Sequence, residues 1–165
     1  MTRTSKIQIL KENQVAMNSA IQWLERSYGF CIKIGIKTDY ADEEYDAFET
    51  LTSRYARAID LIIRKVLRTI DIVEFEQPGT LIDTVNRAER RGFIDSVNSL
   101  REMTDLRNEI SHDYIKAELI ETFENTLTQT LNVITLAKHI DNYIIANYIV
   151  DKNINNHLHV NTICA

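Results

Sequence analysis

A chain of 165 residues, 44% hydrophobic and 26% charged, is long enough to bury one core and too short for two comfortable domains. Its formal net charge of −5 excludes a protein that coats nucleic acid through overall basicity, so any phosphate contact must come from locally concentrated Lys and Arg. Four glycines and the single proline, Pro78, leave few chain breakers, which points to an all-α chain. Cys31 and Cys164 stand far apart without metal-ligand spacing, as suits a reducing compartment. No apolar run reaches the length of a bilayer span, and Met1 to Lys6 lacks the apolar core of a signal peptide. A cytoplasmic protein is expected, with no membrane partner, no metal and no cofactor.

From about Ser5 to Ser27, Leu10, Met17, Ile21 and Leu24, with Gln14 in the same row, form a helical stripe, and Gly29 stands where that helix is expected to stop. Trp23, the only tryptophan, falls at the edge of the stripe, a place for core or interface packing. Tyr28 to Ala41 reads as an irregular connection. Asp42 then provides an N-cap, with Glu43 and Glu44 in the first turn, where negative charge complements the helix dipole. Tyr45, Phe48, Leu51, Tyr55, Ile59, Ile62, Val66 and Ile70 keep three- and four-residue spacing, so this helix should approach thirty residues and belong to a bundle. Its other face carries Arg54, Arg57, Arg64, Lys65 and Arg68, opposed only by Asp60. That basic strip reads either as a guide for an RNA backbone or as a solvated face that pairs with a partner's carboxylates.

Asp71 to Gln77 reads as a connection, and Pro78-Gly79 gives a turn before Thr80, the N-cap of a short helix ending near Arg91-Gly92. Leu81, Ile82, Val85 and Ala88 are its expected buried side. A fourth helix should begin near Asp95, its entry stapled by Phe93 and Ile94, with Val97, Leu100, Met103 and Leu106 facing the core. A fifth, with Ala117, Ile120, Phe123, Leu127, Leu131, Ile134, Ala137 and Ile140 as its stripe, should reach Tyr148 and pack back along the others. The expected architecture is an antiparallel helical bundle of about five helices over residues 1–150. Residues 151–165 form a polar, asparagine-rich tail that cannot bury enough apolar surface to order itself. His157 and His159 in that tail lack a third ligand for a metal.

The fourth helix runs into Leu106-Arg107-Asn108-Glu109-Ile110-Ser111-His112-Asp113-Tyr114. Histidine can accept and donate a proton near neutral pH, and the planar arginine fork matches phosphate oxygens, so this segment suits chemistry on a phosphodiester. The plainer reading is a histidine on the helix dipole, with arginine and tyrosine covering apolar surface. On an ideal helix Asn108 and His112 share a face, whereas Arg107 and His112 project roughly 140° apart. A single subunit aims them poorly at one atom, so a second copy is expected to complete the site.

Arg107-Asn108-x-x-x-His112-x-Tyr114 resembles the Arg-x4-His-x-Tyr signature of the HEPN domain family, in particular the HepT-like toxins paired with minimal nucleotidyltransferase (MNT) antitoxins. In architecture the resemblance covers roughly residues 6 to 149, and only this octet is specific enough to count as a motif. It implies a four-helix HEPN-like core, a homodimer with a composite site, and a metal-independent endoribonuclease acting as the toxin of a toxin-antitoxin pair on tRNA or mRNA. His112 and Arg107 would be catalytic, with Asn108 orienting the histidine or a phosphate oxygen. It also implies Tyr114 as the acceptor of AMP from the nucleotidyltransferase partner, which would block the RNA site; packing at an interface is the alternative for that tyrosine. A reading of another class follows from the same resemblance: a non-catalytic helical module that binds substrate for a nucleotidyltransferase.

Overall fold

The computed structural model describes residues 2–74, 79–110 and 116–149, and these form five helices with no strand among them. Helix α1 spans Arg3–Ile34, with the Thr2 hydroxyl accepting from the Ser5 amide at its start. It does not stop at Gly29. The stripe of Met17, Ile21 and Leu24 continues through Ser27 to Cys31, which is fully buried, and that burial outweighs the roughly 1 kcal/mol that a mid-helix glycine costs. Phe30 to Ile34 are therefore helical, and α1 ends at Gly35, whose φ of 71° closes the last turn with its N–H on the Cys31 carbonyl.

Helix α2 follows a short connection and runs as Asp42–Leu61, a π-helical turn Ile62–Leu67 and a final segment Arg68–Val73. Its N-cap is Ala41, one residue before the expected Asp42, and the Glu44 carboxylate accepts from the Ala41 amide at 3.0 Å. Of the long stripe Tyr45 is partly buried, and Phe48, Leu51, Tyr55, Ile59, Ile62, Val66 and Ile70 are all buried. The π turn has a visible cause. Tyr55, Ile59, Ile63, Leu67 and Asp71 are buried at steps of four, each of which over-rotates an α-helix by about 40°, and one wider turn takes up the drift. Asp71, expected in a connection, is thus inside the helix and 5% exposed.

Helix α3, Leu81–Arg90, begins with a reciprocal cap between Thr80 and Asp83 and ends before Gly92, whose φ is 74°. Thr84, Val85 and Ala88 are its buried side, whereas Leu81 and Ile82, expected there, are 44% and 60% exposed in the first turn, at the edge of the bundle. Helix α4, Val97–Ile110, follows buried Phe93 and Ile94 and faces inward through Leu100, Met103 and Leu106. Helix α5, Lys116–Ile144, ends in a second π turn, Ile145–Ile149. Leu131, expected in its stripe, is 51% exposed; Thr126, Thr130 and Val133 are buried instead, each threonine hydroxyl satisfied by the carbonyl four residues back. The tail 151–165 lies outside the described residues.

Helices α1 and α2 pack antiparallel, as bonds from Asn13 to Thr69 and from Arg54 to Ser27 show. Helix α5 runs antiparallel to α1, with Gln14 and Asn18 both donating to Asp141, and α4 closes the bundle against α2 and α5. One end of the core is aromatic: Phe48 and Phe123 stack at 4.7 Å, with Tyr40 and Tyr45 edge-on. The other end is ionic. Asp71 is paired with Arg87 at 3.0 Å and Arg91 at 2.8 Å, and Glu74 accepts from Arg91, Tyr143 and Tyr148 at 2.7, 2.5 and 2.9 Å. Burial opposes ionisation of Glu74, but the hydrogen bond from Tyr143 and the Arg91 guanidinium outweigh it and hold the carboxyl below its usual range. The tyrosines respond in the opposite direction, pushed up first by burial and then by the Glu74 charge they face. This network ties the ends of α2 and α5 to α3 and so fixes where α4 begins.

Candidate functional site

Where α4 crosses α2, buried Tyr55 donates its hydroxyl proton to the Met103 carbonyl at 3.1 Å. Burial pushes that phenol's pKa far up, so it remains a neutral donor and an anchor between the two helices. One turn further along each helix, Arg107 reaches across from α4, and its Nη2 donates to Asp60 Oδ2 at 2.6 Å. Arg107 Nη1 donates to Asn108 Oδ1 at 3.2 Å, and Asp60 also receives Arg64 at 3.3 Å from one turn on. The guanidinium is therefore held from two sides in a defined plane, with its side chain about one quarter exposed (24%).

These groups border a groove of about 360 Å³, lined on its polar side by Asp60, Arg64, Arg68, Thr104, Arg107 and Asn108 and on its apolar side by Ile59, Ile63 and Leu81. The π turn contributes to this arrangement. Asp60, Arg64 and Arg68 are spaced by four, and without the wider turn they would wind off one another around α2. The groove presents three guanidiniums and one carboxylate to solvent, an environment for an anion of phosphate type that can form bidentate hydrogen bonds.

Of the residues singled out in the sequence, Arg107, Asn108, Arg64 and Arg68 come together here. Arg54 and Arg57 do not. Arg54 turns toward α1, donating to the Trp23 carbonyl at 3.1 Å and to Ser27 Oγ at 2.5 Å, and Arg57 donates to Ser53 Oγ at 3.0 Å. Lys65 is exposed on α2 and does not line the groove. The basic strip is thus divided between two places on the helix. His112 and Tyr114 lie outside the described residues, immediately past the end of α4 at Ile110.

Asp60 was legible only as the one carboxylate among the arginines of α2; its role as the acceptor for Arg107 depends on a helix crossing that no local pattern encodes. Comparison of the chain with protein-family models, with curated proteins and with solved structures finds no match.

Proposed function

We propose that the protein is a metal-independent endoribonuclease of HEPN type, the toxin of a toxin-antitoxin pair, with an active site completed by two copies of the chain. The observation that supports this reading is Arg107, braced by Asp60 at the edge of an arginine-lined groove, on the helix whose sequence continues into His112. In the proposed reaction His112 accepts the proton of a ribose 2′-hydroxyl as that oxygen attacks the adjacent phosphorus. The bond from phosphorus to the 5′-oxygen breaks, a 2′,3′-cyclic phosphate forms, and the leaving oxygen takes a proton from solvent, to which His112 returns its own, while the second copy supplies Arg107. Arg107 neutralises the extra negative charge on the pentacoordinate phosphorus, and Asn108 orients a phosphate oxygen or the imidazole. Arg64 and Arg68 hold the flanking backbone.

Tyr114 is proposed as the point of control. Its phenolic oxygen, two residues past His112, would attack the α-phosphorus of a nucleoside triphosphate held by a nucleotidyltransferase partner, releasing pyrophosphate and leaving AMP on the tyrosine. The AMP phosphate then competes for Arg107 and shuts out RNA. Intact mass after co-expression with such an enzyme should rise by whole AMP units, and Tyr114→Phe should abolish the increase; an increase retained in that variant removes the assignment.

One observation favours a second reading. A groove of about 360 Å³ is the size of a small-ligand site, as a non-catalytic nucleotide-binding partner of a nucleotidyltransferase would need. Incubation of the purified chain with total RNA separates the two. On the nuclease reading the RNA is cut, and His112→Ala lowers the rate by about a hundredfold or more while the fold is retained; intact RNA after prolonged incubation favours the binding module.

A further inference from the structure

Trp23 lies at the edge of the buried stripe of α1, one turn before Ser27, and remains 49% exposed. The Arg54 guanidinium stands over its ring at 5.0 Å and that of Arg26 at 5.4 Å. These two contacts differ. Arg54 is anchored by hydrogen bonds to the Trp23 carbonyl and Ser27 Oγ, so its charge stays beside the indole; Arg26 is held by nothing else among the described residues and can give up its place. A groove of about 330 Å³ opens beside the ring, bounded by Ala20, Thr50, Arg54 and Arg57. None of Arg26, Arg54 and Arg57 forms an ion pair among the described residues, in a chain whose net charge is −5.

The place of this groove matters as much as its contents. Arg57 also borders a neighbouring groove of about 420 Å³, which contains Ser53, Asp60 and Ile110, and Asp60 in turn borders the groove of Arg107. The three grooves therefore adjoin one another, each sharing a lining residue with the next, in a row from Trp23 to Arg107. Glu49 and Asp60 are the carboxylates along it, and Asp60 is already paired with Arg64 and Arg107.

We infer that Trp23, with Arg54 and Arg57, forms a docking site for single-stranded RNA, one base stacking on the indole while the adjoining phosphates meet the guanidiniums. An exposed aromatic ring among cations is the arrangement that binds single strands, because every base has a π-face and every linkage a charge. A duplex keeps its bases stacked on one another and has none to offer. Arg26 leaves the ring as the base arrives and pairs with a phosphate. The inference rests on RNA being the substrate of the Arg107 groove, and it explains how an acidic protein would retain a strand long enough to cut it.

The chain contains one tryptophan, so its emission reports this site alone. The full-length Arg107→Ala variant, which removes cleavage on the proposed mechanism, is titrated with a single-stranded RNA of about 16 nucleotides, with a duplex of the same sequence and with polyglutamate. The expected result is saturable quenching by the single strand, weakened by added salt, with little response to the duplex or the polypeptide. Anisotropy of the labelled single strand should show about tenfold weaker binding in both Trp23→Leu and Arg57→Glu, which alter exposed side chains and should melt like the parent. No quenching, affinity unchanged in both variants, or equal quenching by duplex or polyglutamate overturns the inference. Cleavage by the wild-type chain with a silent Trp23 overturns this site and leaves the nuclease reading intact; quenching without cleavage does the reverse.

Discussion

Arg107 has two conflicting requirements at the single-residue level: it must be held still, and it must still have charge to offer a phosphate. Asp60 supplies the first at 2.6 Å, and Arg64, sharing the same carboxylate, restores the second by keeping the local balance positive. The pair is partly exposed, so its worth to the fold is small, on the order of 1 kcal/mol or less. Its worth to catalysis should be larger. Asp60→Asn retains the shape and removes the charge that fixes the guanidinium, so kcat should fall by about tenfold while KM does not rise, because an anionic substrate no longer meets a carboxylate. A rise in KM with unchanged kcat would show that Asp60 only shapes the groove. Arg107 and Asn108 were readable from the sequence because their spacing from His112 is local. Asp60 was not, because it stands 47 residues away and reaches Arg107 only once two helices have crossed.

At the scale of the elements, the stripes of α1, α2 and α5 were legible because three- and four-residue spacing of apolar side chains has one simple packing solution. The errors occur where tertiary burial overrides a local signal. Gly29 looks like a stop, yet Cys31 beyond it is buried with its Sγ against the Ala47 carbonyl, and desolvation pushes that thiol up to about 11. The ionic end of the bundle was invisible, since Asp71 and Glu74 find their partners on α3 and α5 rather than on their own helix. That cluster has a measurable consequence. The folded pKa of Glu74 lies below its unfolded value, so its contribution is complete above the normal carboxylate range and is lost as pH falls through the folded value. Glu74→Gln should therefore destabilise the protein by about 2 kcal/mol near neutral pH, read as a urea midpoint, and the gap should narrow below about pH 4. A gap that stays constant across that interval would mean that packing, and not charge, is what Glu74 contributes.

For the whole molecule, the bundle sets α4 against α2 so that the groove opens to solvent at the end where the chain leaves α4 for His112. The number of helices and their order followed from periodicity, while the crossing that builds the groove did not. Two copies are required by the proposed chemistry because an ideal helix carried on from Arg107 would aim that residue and His112 roughly 140° apart. If each active site draws groups from both subunits, damage to one group in one subunit can be masked by its partner. The most direct measurement is cleavage of a synthetic single-stranded RNA, in EDTA, by wild type, Arg107→Ala, His112→Ala and the two variants unfolded and refolded together. The expected result is cutting by the wild type, none by either variant alone, and recovered cutting by the mixed dimers. Undiminished cutting by either single variant, or loss of wild-type cutting in EDTA, would contradict a shared site built from Arg107 and His112.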